Sequence, residues 1–236
     1  MPPPETHSEP RLAHPEEPRR VVIDLLIFDL DGTLIDSKLD LVHAVNATRA
    51  HLHMEPLENE RVYSYVGNGA PVLIRRALGD QATEDTVQEA LEFFLAYYRD
   101  HPLDFTTLYP GVKESLDRLL AADKRMAVLT NKPVRISRAI LDGLGVLDHF
   151  FQVYGGNSFE FKKPNPVGVD ALMREAGVVR ESTLMVGDSS VDMETARNAG
   201  IRCCGVTYGF QPDTLVNPTP DKLVDRMTEL ADWVLG

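Results

Sequence analysis

The sequence predicts an α/β protein: a doubly wound parallel sheet of Rossmann-like order, with an all-helical module inserted after its first strand. Two observations carry this. From Tyr109 onward, short apolar runs alternate with segments of helical period, as in strands covered by helices on both faces. Between the first apolar run and that point, residues 36–107 read as helix, and no strand signal interrupts them.

In chain order, residues 1–20 hold six of the sixteen prolines, set among Glu, Arg and His. Such a segment buries too little apolar surface to repay its ordering entropy, and is expected to be an unstructured tail. Strand structure begins at Arg20-Val-Val-Ile-Asp-Leu-Leu-Ile-Phe28, a nearly continuous β-branched and apolar run suited to burial on both faces. Helices are expected at 37–53, opened by a Ser-x-x-Asp box at Ser37 and Asp40, at 70–78, with Pro71 in the first turn, and at 85–99. After Tyr109-Pro-Gly111, helices are expected at 112–122, 133–144, 166–176, 192–199 and 226–234, and strands at 125–130, 151–154, 183–186 and 201–207. The organisation that follows is a tail at 1–20, a core built from 21–35 and 108–236, and a helical cap at 36–107.

A chain of 236 residues is long enough for one large domain or a domain with an insertion. Its 24 basic and 36 acidic side chains give a net charge of −12, which disfavours nucleic acid and anionic membrane surfaces as partners. Cys203 and Cys204 are adjacent in an apolar run, with neither redox nor zinc spacing, and read as strand core in a reducing compartment. No apolar run approaches the ~20 residues that span a bilayer, and the N-terminus lacks the order of a signal peptide. A cytoplasmic location is therefore expected.

Ligands of open parallel sheets sit beyond the carboxyl ends of the strands, so the polar residues closing each strand come first. They are Asp29 and Asp31 after the first strand, Thr130-Asn131-Lys132 after the second, Lys162-Lys163-Pro164 after the third and Gly187-Asp188-Ser189-Ser190 after the fourth. Asp29 and Asp31, two apart on extended chain, project from one face. Unit charges at ~4 Å repel by about 4 kcal/mol at an effective dielectric of 20. Asp29, Asp31 and Asp188 together therefore call for a divalent ion, and oxygen-only ligation favours Mg²⁺, which completes its shell with water and phosphate. An EF-hand reading of Asp-x-Asp-Gly fails, because its glycine and its bidentate Glu stand at other positions. Thr130 offers a hydroxyl donor and Lys163 a fixed charge for a phosphate, with Pro164 and Pro166 stiffening the lysine loop. Taken singly, Thr130 reads equally as a strand cap and Lys163 as a solvated lysine. His43, His51 and His53 do not converge on a metal, and Tyr97 and Tyr98 read as helix core.

The ordered set Asp29-Leu-Asp-Gly-Thr-Leu-Ile-Asp-Ser37, Leu129-Thr-Asn-Lys-Pro133, Lys162-Lys-Pro-Asn-Pro166 and Gly187-Asp-Ser-Ser-Val-Asp192 resembles the four motifs of the haloacid dehalogenase superfamily of aspartate-nucleophile phosphatases. The resemblance covers the chain from residue 21 onward. Val66-Gly-Asn-Gly-Ala70, Tyr154-Gly-Gly-Asn157 and Thr207-Tyr-Gly-Phe210 resemble its phosphoglycolate phosphatase branch. It implies that Asp29 attacks phosphorus and forms an aspartyl phosphate, while Asp31 protonates the leaving alkoxide and later activates water. It further implies that the Asp29 carboxylate, the Asp31 main-chain carbonyl and Asp188 hold the metal, with Asp192 orienting its water or Lys163. Thr130, the Asn131 amide and Lys163 are then the phosphate ligands.

The insertion is implied to be a lid, with Gly67, Asn68 and Gly69 as a substrate loop and Arg76 as a partner for a substrate carboxylate. The same residues read alternatively as turns between helices and a solvated arginine. The expected substrate is a small phosphate ester, with 2-phosphoglycolate leading. A sugar phosphate or other metabolite, or a phosphosugar mutase reaction, is the alternative within the superfamily, and a phospho-signalling receiver the alternative outside it. The sequence leaves monomer or homodimer open. Asn157 departs from the pattern, standing where relatives often carry an acid.

Overall fold

The computed structural model describes residues 22–236, so the tail expected at 1–20 lies outside the described residues. β1 (Leu25–Phe28) leads into β2 (Ile35–Asp36), and four helices follow: α1 (Lys38–His51), α2 (Asn59–Tyr63), α3 (Ala70–Leu78) and α4 (Glu84–Asp100). The chain returns through β3 (Thr107–Leu108) and then alternates: α5 (Val112–Ala121), β4 (Arg125–Leu129), α6 (Val134–Gly143), β5 (Gln152–Tyr154), α7 (Val167–Ala176), β6 (Thr183–Gly187), α8 (Ser190–Ala199) and β7 (Arg202–Val206). β8 (Lys222–Val224) and α9 (Met227–Leu235) complete it. Six strands form one parallel sheet in the order β5-β4-β1-β6-β7-β8. The doubly wound α/β architecture read from the sequence is the one found.

Period-two alternation divides the sheet between two apolar layers. Leu25 and Ile27 join Ala127, Leu129 and Met185 under α7 and α8. Leu26 and Phe28 join Met126, Val128, Leu184 and Val186 in a second layer with α5, α6 and α9. All four residues of β1 are wholly buried, which explains why the strand reads as an unbroken apolar run rather than an alternating one. The second layer continues into the helical insertion through Leu41, Val45, Leu73, Ile74 and Phe94. Cys203 and Cys204 are buried, unpaired residues of β7. Among the described residues, no helix is long and apolar enough to cross a membrane.

Four elements escaped the sequence reading. β2 and β3 are two residues each, too short for periodicity, and are held as an antiparallel pair where the chain leaves and re-enters the sheet domain. α2 has five residues, and β8 is a three-residue edge strand defined by its pairing to β7.

The box expected at Ser37 and Asp40 is also corrected. The Ser37 hydroxyl does not cap α1 but donates to Asp31, and the Lys38 N–H is met instead by Asp36 Oδ1 at 3.2 Å. Asp40 turns inward, where its carboxylate accepts from Phe105 N–H and from both the N–H (2.9 Å) and hydroxyl (2.6 Å) of Thr106. A serine and an acid with stronger partners elsewhere do not spend themselves on the helix end.

Asp40→Ala leaves the buried Thr106 N–H and hydroxyl without a partner. A loss of about 1–3 kcal/mol in unfolding free energy is expected in urea titrations, with Asp40→Asn recovering part of it.

Candidate active site

Register sets the site. Phe28 pairs with Val128 on one side and Val186 on the other, so the residues that close β1, β4 and β6 end at one level of the sheet. Asp29, Thr130 and Asp188 are thereby brought together, all three buried. Lys163 reaches them from the loop after β5. Its Nζ lies 2.6 Å from Asp192 Oδ1 and 2.8 Å from Asp29 Oδ1. The second contact is close in distance but poor in direction, so Asp29 Oδ1 is buried with no hydrogen bond. Carboxylate oxygens of Asp29, Asp188 and Asp192 all lie within 4.8 Å of one another.

The electrostatics follow from burial. Asp29 is pushed up to about 6, chiefly by burial and further by Asp192, against the pull of Lys163. Asp188 is pushed up to about 8 by burial, with Asp192 and Asp29 adding to the rise. Burial alone would lower Lys163, but the charges of Asp192 and Asp29 outweigh it and hold the ammonium above its ordinary range. Asp192 is fully engaged: Oδ1 takes Lys163, while Oδ2 accepts from the Ser189 hydroxyl at 2.8 Å and its N–H at 3.2 Å. It thus fixes the lysine and ties it to the start of α8.

Asp188 sits in a cradle that admits no extra atom. A Cβ on Gly32, whose φ is +81°, would lie 2.3 Å from Asp188 Oδ2, and one on Gly209 would lie 2.2 Å from Asp188 Cβ. The same Oδ2 accepts from Phe210 N–H at 2.7 Å and Gln211 N–H at 3.3 Å, and Oδ1 accepts from the Thr33 hydroxyl at 3.3 Å. The Thr207-Tyr-Gly-Phe210 segment therefore buttresses this carboxylate from behind.

The Asp31 carboxylate is not part of the acidic cluster. It accepts from Lys132 Nζ at 2.8 and 3.1 Å and from the Ser37 hydroxyl, and Lys132 also donates to the Tyr98 hydroxyl at 2.6 Å. The Thr130 hydroxyl accepts from Lys132 N–H at 3.3 Å. The Asn131 side chain bridges two loops, donating to Gly67 and Lys163 carbonyls at 3.0 and 3.1 Å, while its Oδ1 is buried without a partner. Asn157 Oδ1 accepts from Val134 N–H at 3.0 Å, at the start of α6.

The 66–70 loop of the insertion roofs a cavity lined on the sheet side by Asp29, Asp31, Thr130, Lys132 and Asp188. Successive carbonyls of that loop are each held by a different part of the sheet domain: Val66 by Gln211 Nε2 at 2.7 Å, Gly67 by Asn131, and Asn68 by Lys162 Nζ at 2.6 Å. Gly67 and Gly69 line the cavity. Arg76 does not; its guanidinium is exposed and donates to the Tyr65 carbonyl.

Sequence reading places Lys132 and Lys162 among the strand-closing residues without giving either a role, takes Tyr98 for helix core, and does not single out Gln211. Lys132 was within reach, since it closes β4 beside Thr130. Tyr98 reads as core because its ring is core, and only its hydroxyl marks it out.

Buried carboxylates with raised proton affinity, an orphaned Asp29 oxygen and an all-oxygen donor set suit a hard divalent cation. Residues 26–206 match the haloacid dehalogenase-like hydrolase family, and the chain belongs to it. It is 40% identical over 219 residues to the phosphoglycolate phosphatase of Vibrio parahaemolyticus, covering 90% of this chain and 96% of that one. It is 37% identical over 214 residues to the phosphoglycolate phosphatase of Chromobacterium violaceum, covering 89% and 96%. The crystal structure of a predicted phosphoglycolate phosphatase from Haemophilus somnus superposes with a TM-score of 0.84 at 32% identity, covering 89% of this chain and 97% of that one.

Without a cation, Asp29 and Asp188 bind protons more tightly folded than unfolded. Their contribution to stability is therefore greatest below about pH 4 and falls as the pH rises through about 6 and about 8. In EDTA, thermal unfolding should show wild type losing stability relative to Asp188→Asn between pH 5 and 8. Mg²⁺ should restore the wild type at pH 8 and leave the variant little changed. Parallel pH profiles for the two proteins would exclude this origin.

Proposed function

We propose that this protein is a Mg²⁺-dependent phosphomonoesterase that uses Asp29 as its nucleophile and hydrolyses 2-phosphoglycolate to glycolate and phosphate. The observation that carries the reading is the buried Asp29, with Lys163 2.8 Å away and an oxygen left without a hydrogen bond, at the head of a roofed cavity. Relatives at 37–40% identity over nearly the whole chain are phosphoglycolate phosphatases, which supports the choice of ester.

The chemistry assigned to each residue follows from its surroundings. Asp29 attacks phosphorus in line and becomes an aspartyl phosphate as the P–O bond to the leaving group breaks, which divides a slow hydrolysis into two displacements. Asp31, held beside it by Lys132 and Ser37, gives a proton to the leaving oxygen and then takes one from the attacking water. Lys163 and the Thr130 hydroxyl steady the phosphoryl oxygens, while Asp192 keeps the lysine aimed. Asp29, Asp188 and the Asp31 main-chain carbonyl would hold a Mg²⁺, whose charge would screen an anionic nucleophile from an anionic phosphate. The helical insertion serves as a lid that excludes water, and the carbonyl contacts of Val66, Gly67 and Asn68 secure its closed position.

Asp29→Asn is expected to lower phosphate release at least roughly a thousandfold while its circular dichroism matches wild type. Retained turnover in that variant would sink the mechanism. A panel of phosphate esters ranked by kcat/KM, with and without EDTA, checks the substrate: 2-phosphoglycolate should lead and EDTA should abolish turnover. A sugar phosphate at the head of the panel would replace the assignment.

A further inference from the structure

We infer that Lys132 is the residue that selects a carboxylate on the leaving group, and that Tyr98 of α4 shares that contact. The inference rests on the phosphomonoesterase reading above and adds to it the basis of substrate choice.

A carboxylated phosphate ester brings a second anion into the cavity, and that anion needs a positive partner. Among the described residues that line the cavity, Lys132 is the one cationic side chain. The other nearby cations are engaged elsewhere. Lys163 is taken by Asp29 and Asp192, Lys162 by the Asn68 carbonyl, Lys38 packs over the Tyr63 and Phe210 rings outside the lining, and Arg76 lies on the exposed side of the insertion. Beyond Tyr98, the side chains on the insertion's side of the cavity are apolar, among them Leu41, Leu73, Phe94 and Leu95. An unpaired carboxylate there would carry a desolvation penalty that only Lys132 can offset.

Reach and valence agree. In 2-phosphoglycolate the carboxylate carbon is two bonds from the ester oxygen, and that oxygen must meet Asp31 for protonation. Lys132 Nζ is 2.8 and 3.1 Å from the Asp31 oxygens, so whatever contacts Asp31 is within a short step of the ammonium. An ammonium has three donors. Here they meet both Asp31 oxygens and the Tyr98 hydroxyl, and the longer contact, 3.1 Å to Asp31 Oδ2, is the one a substrate carboxylate would replace. The Tyr98 hydroxyl accepts from Lys132 and keeps its own proton to donate, so the pair presents two donors to one carboxylate. Because Tyr98 stands on α4 of the insertion and Lys132 on the loop after β4, a bound carboxylate would also help seat the lid.

The test compares 2-phosphoglycolate with 2-hydroxyethyl phosphate, which keeps the skeleton and replaces the carboxylate with a CH₂OH group. Wild type should prefer the carboxylated ester by at least about 100-fold in kcat/KM. Lys132→Met should cut that preference to less than about tenfold, mainly through KM for 2-phosphoglycolate, whatever it does to both esters through Asp31. Lys132→Arg should keep most of the preference, and Tyr98→Phe should reduce it by roughly 5- to 20-fold.

Equal losses on the two esters in Lys132→Met would overturn the inference, reducing Lys132 to a positioner of Asp31. Should that variant fold poorly by circular dichroism, competitive inhibition of wild type decides. There 3-phosphonopropionate must bind at least about 30-fold more tightly than propylphosphonate, and equal inhibition refutes the assignment. A wild type that hydrolyses both esters equally refutes it while leaving the phosphomonoesterase reading intact, whereas hydrolysis of neither overturns that reading itself.

Discussion

The site depends on one constraint: the ends of two neighbouring parallel strands and the first turn of α8 bring three buried carboxylates within a few ångströms of each other, with a single lysine among them. Parallel register leaves little choice, because residues closing adjacent strands necessarily meet. The protein does not relieve the repulsion by spreading the acids. It assigns them different partners, so that Asp192 is satisfied by Lys163 and Ser189, Asp188 by main-chain N–H groups, and Asp29 is left one oxygen short. The unsatisfied atom belongs to the proposed nucleophile. The overall charge of −12 does not set the potential met by an anionic substrate here, because the buried acids and lysines of the site and any cation they hold act at much shorter range.

A second acid organises the other half of the molecule. Asp40 binds the chain where it returns from the insertion, and Asp31 is gripped by a lysine that also touches the insertion through Tyr98. The proposed acid and base, the proposed selector of substrate and the proposed lid are therefore one hydrogen-bonded unit. A change in any member is felt by the others, which is why ratios between two esters carry more information about Lys132 than any single rate.

Much of this was legible in the sequence because the signals were local and strong. The apolar run ending in Asp29-Leu-Asp31-Gly, the alternation after Tyr109 and the lysine followed by two prolines each report on a segment of a few residues, and the strand-tip rule assembles them. What escaped was decided by partners remote in sequence. Ser37 and Asp40 have the spacing of a helix cap, yet their partners at Asp31 and Thr106 are invisible to any local rule. Arg76 has the right charge for a carboxylate, but helix phase turns it to solvent, while Lys132 stands inside the Leu129–Pro133 motif, where only Thr130 and Asn131 received a role from the sequence. Tyr98 is a core residue by its ring and a polar one by a single atom, and only coordinates separate the two.

The pairing of β2 with β3 has a mechanical consequence. The two strands by which the chain crosses into and out of the insertion are bonded to each other through Ile35 with Leu108 and Asp36 with Thr107, and Asp40 fastens the returning strand one helical turn further on. Two separate tethers would let the insertion twist and translate as well as tilt. Joined in this way, they would confine the motion of the proposed lid to a swing about the paired strands, returning the 66–68 loop to Gln211, Asn131 and Lys162 in one alignment.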